Sequence, residues 1–123
     1  MNPVSRFIAA AVVAVVILSS VVAQAGPRSH PLDEDAALDL LQRALKRDRV
    51  YANRMDCISY GTEETTDAYF QFVLREIHNA KWGGAPEVMP AIGRYRVYRA
   101  SGKIERWKAI DDSWHRYNPT QIR

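Results

Sequence analysis

Glu76 and His78 are the first side chains whose types and spacing suit chemistry. Two apart on a strand, they project from one face. There a carboxylate can orient an imidazole for proton transfer or metal binding. Leu74 shares that face, however, and marks it as the edge of a core, so a polar pair closing the end of a strand is the plainer reading. Nothing else joins them into a set. His30 and His115 stand alone, and neither a His-x-x-x-His nor a Cys-x-x-Cys spacing occurs. Asp111 and Asp112 would point to opposite sides of a strand and read as a turn. Ser59 lacks a nucleophile-elbow context, and Gly83-Gly84 is too short for a phosphate loop. The expectation is a protein that is not an enzyme, with no metal and no cofactor.

The residues suited to binding are more distinctive. In Lys81-Trp82-Gly83-Gly84-Ala85-Pro86-Glu87 a tryptophan stands beside two glycines. Trp82 either anchors a partner from an exposed tip, as interface tryptophans do, or folds back over a sheet edge. Further on, Arg94, Arg96 and Tyr98 alternate along one face of a strand, and Lys103, Arg106 and Lys108 add charge on the next. Such a row resembles the grip of single-strand nucleic-acid binders. Export makes an envelope protein or an anionic envelope polymer the expected partner instead of nucleic acid. A solvated basic face is the plain alternative.

Four turns of amphipathic helix and a run of strands must position these residues. Asp33, Glu34 and Asp35 open the helix and Lys46, Arg47 and Arg49 close it, an order that complements the helix dipole. Asp33 is the expected N-cap. Leu38, Leu41 and Leu45 form the apolar stripe. After residue 50 the period changes to two. Residues 55–60 read as a short strand and Gly61 to Asp67 as a polar turn. Residues 68–78 form a long strand with Phe70, Phe72 and Leu74 on one face and Tyr69, Gln71, Val73 and Arg75 on the other. Gly83, Gly84, Pro86 and Pro90 interrupt the pattern. It resumes over 92–99, where Tyr95 and Val97 oppose Arg94, Arg96 and Tyr98. Gly102 sits in a tight hairpin turn, 104–110 is the return strand, and 114–117 is a last short one. One helix followed by three to five antiparallel strands predicts an α+β domain with the helix on a curved sheet, cystatin-like or PepSY-like. A small, partly closed barrel plugged by the helix is the alternative.

Residues 1–25 read as a secretory signal peptide: Arg6, an unbroken apolar run from Phe7 to Leu18, then Ala23-Gln24-Ala25 as the cleavage site. Kept uncleaved, the segment would serve as an anchor and the only membrane contact. A flexible leader over 26–32, one domain over 33–118 and a tail over 119–123 complete the layout. The expected location is periplasmic or secreted. Residues 26–89 carry eight basic and eleven acidic residues, whereas 90–123 carry eight and three, so charge is polarised along the chain. The one cysteine, Cys57, cannot form an internal bridge. It is either buried in its strand or free to tether a second copy as a homodimer.

Arg75-Glu76-Ile77-His78, Gly83-Gly84, Pro86, Pro90, and Tyr95-Arg96-Val97-Tyr98-Arg99 with Ser101-Gly102-Lys103-Ile104 carry a resemblance. Over about residues 57–117 the chain resembles small exported bacterial proteins with a Glu-x-His, a Cys-Gly-Gly-Asp-Pro motif and a PepSY-like hairpin. The resemblance implies export and fold, and no particular activity. Trp82 replaces the motif's cysteine and Ala85 its aspartate. If the family cysteine pairs with one near Cys57, the resemblance implies that Cys57 has lost its partner.

Together these features point to a protein-binding module, an inhibitor or immunity-type protein of an envelope hydrolase. A binder of a small ligand or anionic envelope polymer, using a cavity between helix and sheet, is the second expectation.

Overall fold

The computed structural model describes residues 29–52 and 54–122. The export segment, with Ala23 and Ala25, lies outside the described residues. Helix α1 (Glu34–Arg47) starts where the acids begin: the Asp33 side chain accepts the Ala36 amide at 2.8 Å. Leu32, just before the cap, and Ala37 in the next turn both enter the core, the pairing that fixes a helix's entry angle. The Leu32 amide also donates to the Arg99 carbonyl at 2.9 Å. Leu32, expected as the last residue of the leader, is thus anchored in the core.

Five antiparallel strands follow: β1 (Ile58–Thr65), β2 (Tyr69–Glu76), β3 (Ala91–Tyr98), β4 (Ile104–Lys108) and β5 (Ser113–Arg116). They pair in chain order as a meander. β1 and β5 form opposite edges, so the sheet stays open and the barrel alternative does not form. The fold is α+β, one helix on one open sheet.

Three expectations shift. Residues 55–57 form a 3-10 turn, and the first strand begins only at Ile58. That strand continues through the segment expected as a turn, because pairing with β2 carries it to Thr65. A register shift between Thr62 and Glu64 absorbs one residue. The tail contains a further 3-10 turn, Pro119–Gln121, with Asn118 accepting the Thr120 amide.

The inner face of the sheet joins Phe70, Phe72, Leu74, Tyr95 and Val97 to Leu41 and Leu45 of the helix. Their burial is the main apolar stabilisation, about 1.5–3 kcal/mol for each large side chain. Tyr95 is fully buried, yet its hydroxyl meets that of Tyr51 at 2.8 Å. Gly93 makes room for this pair: a Cβ there would lie 2.6 Å from the Tyr51 hydroxyl.

A helix is roughly 10 Å across, whereas five strands at about 4.8 Å spacing span roughly 19 Å. The helix accordingly packs on β2 and β3. Among the described residues the helix leaves open the inner side beside β4 and β5 and the opposite face of the sheet.

Candidate functional site

The opposite face holds the arginine row. Alternation and register bring Tyr69, Gln71 and Arg75 of β2, Arg94, Arg96 and Tyr98 of β3, Glu105 and Trp107 of β4, and Trp114 of β5 to one side. At its centre the Arg96 guanidinium lies 4.3 Å from the Tyr69 ring centroid and 4.1 Å from that of Trp114. Its Nε donates to Gln71 Oε1 at 3.1 Å, and Glu64 approaches at 3.7 Å. Trp107 packs against Trp114 across the last strand pair, with centroids 5.3 Å apart. Tyr98 meets Tyr69 edge to face at 5.7 Å, donates its hydroxyl to Glu105, and lies under the Lys103 ammonium at 4.1 Å. A shallow cleft of about 400 Å³ opens between Glu64, Gln71, Arg94, Arg96, Trp107 and Trp114.

The carboxylates here act as struts. Glu63 accepts from Arg94 and from Gln71. Burial pushes its carboxyl up, but the hydrogen bonds from Gln71 and Arg94 prevail and hold it below its ordinary value. Glu105 behaves alike: burial opposes, while the bonds from Lys103 and Tyr98 prevail. Burial also raises the Tyr69 and Tyr98 hydroxyls, aided by Glu64 and Glu105 respectively. Long side chains that would otherwise sample many rotamers are thus held in place before any partner arrives, which lowers the entropic cost of binding.

Trp107 and Trp114 were not among the residues singled out from sequence. Local alternation marks Trp114 as strand, but only the register of β3, β4 and β5 sets it on Arg96. Arg106 is the converse correction. It faces Tyr95 across the β3–β4 pair, on the inner side, 5.9 Å from that ring. It therefore adds nothing to the outward row. Its Nε is buried without a hydrogen-bond partner among the described residues. Lys108 is also drawn away, donating to Gln121 at 3.1 Å.

No family model, no curated protein and no solved structure matches this chain. The site is therefore read from its own geometry.

Glu76 and His78 come together, with Nε2 of His78 3.6 Å from Glu76, and Arg54 bonds the same carboxylate. Nδ1 of His78 lies 3.2 Å from the Ala85 carbonyl. A carbonyl only accepts, so Nδ1 donates to it and ties the Ala85 loop to the residue just beyond β2. That arrangement clamps a loop. Gly84 seals it: its φ is +80°, and a Cβ there would lie 2.5 Å from the imidazole. Asn79 completes the loop by accepting the Lys81 and Trp82 amides. Gly83, with φ +82°, pairs with Asn79 through both backbone groups. Trp82 is half-buried, with the Lys81 ammonium 4.5 Å from its centroid. Among the described residues no aromatic or cation–π contact links it to the arginine row.

The β4–β5 turn assembles a serine, a histidine and an aspartate that local reading kept apart. Ser113 Oγ and Asp111 Oδ2 each lie 2.7 Å from His115 Nε2, and Ser113 donates to Asp111 at 2.8 Å. A nucleophilic triad needs the serine and the carboxylate on opposite ring nitrogens. Here both reach the same nitrogen, and the cluster braces the turn in which Asp112 adopts φ +53°. The Ser113 hydrogen bond, foremost, holds the Asp111 carboxyl below its ordinary value. The spacing Asp111-x-Ser113-x-His115 was the available signal, since alternate residues share a face.

Cys57 is fully buried, at the end of the 3-10 turn and not within the strand.

Proposed function

We propose that this chain is an exported, non-enzymatic protein-binding module of the periplasm or secreted fraction. Its role is that of an inhibitor or immunity-type protein of an envelope hydrolase. Its helix-on-meander layout is of the cystatin-like or PepSY-like kind. The observation that carries the reading is the Arg96 guanidinium held between Tyr69 and Trp114 on the uncovered sheet face, with Trp107 and Tyr98 beside it. Tryptophan, tyrosine and arginine dominate binding energy at protein interfaces, and here they are already fixed by one another. The candidate residues Trp82, Gly83 and Gly84 are secondary, because that loop is internally clamped and, among the described residues, makes no aromatic or cation–π contact with the row.

The test uses tagged residues 26–123 as bait in native periplasmic extract, with and without reductant. The expected result is a stoichiometric envelope protein retained under both conditions. Trp114→Ala should weaken it by about 2 kcal/mol, while Trp82→Ala leaves it bound. Loss with Trp82→Ala but not with Trp114→Ala would move the site to the loop. Absence of any stoichiometric partner would overturn the reading.

A further inference from the structure

β3 and β4 diverge before either strand ends. They pair only through Tyr95, Arg96 and Val97 against Arg106, Glu105 and Ile104. β2 nevertheless holds β3 as strand back to Ala91, and β5 holds β4 as strand out to Lys108. Between the diverging segments opens a cleft of about 480 Å³, lined by residues 91–94 of β3 and 106–110 of β4 and its turn. Consecutive strand residues point to alternate faces, so a wall built from them is the strand's edge, where backbone N–H and C=O groups project. The cleft is a fork in the sheet, closed at the pair of Tyr95 and Arg106 and open toward Ile110.

The fork also carries charge. Arg106 stands at its closed end on the inner side of the sheet, and Lys108, two residues on, shares that side. Neither makes an ion pair among the described residues. The buried Nε of Arg106 has no hydrogen-bond partner, and Lys108 donates to the neutral Gln121 amide at 3.1 Å. Arg94, the third cation of the lining, is bonded to Glu63 on the outer face and gives the cleft its backbone. Among the described residues no carboxylate lines the cleft. Asp111, whose carboxyl Lys108 helps to hold down, is already bonded to Ser113 and His115. A buried donor without an acceptor is unfavourable, so the fold leaves at the fork a cation that an anion would satisfy.

We propose that the fork binds the carboxyl terminus of an extended peptide, at a site separate from the aromatic sheet face. Unpaired strand edges accept an added strand. Because these edges converge, an added strand cannot run on past the pair of Tyr95 and Arg106, and a chain has to end there. The group waiting at that end is a guanidinium, which takes a carboxylate and repels an α-ammonium. The peptide accordingly enters carboxyl end first, parallel to β3 and antiparallel to β4. Lys108 adds a second positive charge along the way. Ile92 and Ile110, the latter 95% exposed, offer apolar contact to the residues upstream. Residues 91–94 span about 10 Å along the strand, enough to hold about three peptide residues.

The probe is an N-terminally labelled peptide, Ser-Val-Thr-Val with a free carboxylate, titrated into residues 26–123 and read by fluorescence anisotropy. Its carboxamide is the first comparator, and acetyl-valine, added as a competitor, is the second. The free acid should bind, and the carboxamide should bind at least about tenfold more weakly. Arg106→Gln should lose at least about tenfold for the free acid and nothing for the carboxamide. Ile110→Asp, at a side chain too exposed to matter for folding, sets a like charge at the mouth and should weaken the free acid at least about threefold. Lys46→Gln, outside the cleft, should leave the affinity unchanged. Equal affinity for acid and carboxamide would overturn the carboxyl-terminal assignment, and acetyl-valine binding as tightly as the peptide would overturn strand addition. No binding of the free acid, or an unchanged affinity in both Arg106→Gln and Ile110→Asp, would overturn the site.

Discussion

The two faces of one sheet are built on opposite terms. The inner face of β2 and β3 is a layer of Phe70, Phe72, Leu74, Tyr95 and Val97 under the helix. The outer face of the same strands carries Tyr69, Gln71, Arg94, Arg96 and Tyr98, held by each other and by Glu63, Glu64, Glu105 and Trp114. The first is ordered because it excludes water. The second is ordered while wet, through paired charges and cations stacked on rings. Removing a side chain should therefore unfold one and merely loosen the other, leaving the second face free to evolve for recognition.

The largest expected effect lies on the inner face. Phe72→Ala leaves a cavity in the core and should cost about 3–5 kcal/mol, read as a fall in denaturant midpoint. Gly93→Ala, which drives a methyl into the Tyr51 hydroxyl and the Tyr95 ring, should cost about 1–3 kcal/mol. The companion change Tyr51→Phe should recover part of that loss by removing the oxygen. Arg96→Ala on the outer face should cost only about 1 kcal/mol in the same denaturation. A loss as large as that of Phe72→Ala would abolish the contrast between the faces.

Acid is the smallest perturbation, and on the outer face it acts through two carboxylates. Glu63 and Glu105 are both held below their ordinary value of 4.5. For such groups the stabilisation is fully present above the unfolded-state value and is lost as pH falls through the folded one. Melting temperature should stay level from neutral pH to about 5 and decline below 4.5. Glu63→Gln with Glu105→Gln should make the decline shallower, leaving the share that Asp48 and Asp111 contribute.

Much of the inner face was legible from residue order. The helix over 34–47, its Asp33 cap and the alternation of Phe70, Phe72 and Leu74 are local patterns, and local geometry produced them. The polar stretch Gly61–Thr65 was illegible as strand, because its extended shape comes from pairing with β2. The outer face was legible in half. Arg94, Arg96 and Tyr98 could be read as a row, but their partners Trp107 and Trp114 lie on other strands. Asp111, Ser113 and His115 had the spacing to be found together, but the tight turn that closes them was needed to show which ring nitrogen they share.

Periodicity along the chain is a property of single residues and their neighbours, since burial and backbone angles repeat every two or 3.6 positions. By itself the order of residues thus determined the helix, the strand faces, the apolar core and the sign of each surface. Register is a property of pairs of strands, set by how many residues each turn and bulge consumes. Only the tertiary structure decided that Arg96 lies between Tyr69 and Trp114 and that Arg106 turns inward.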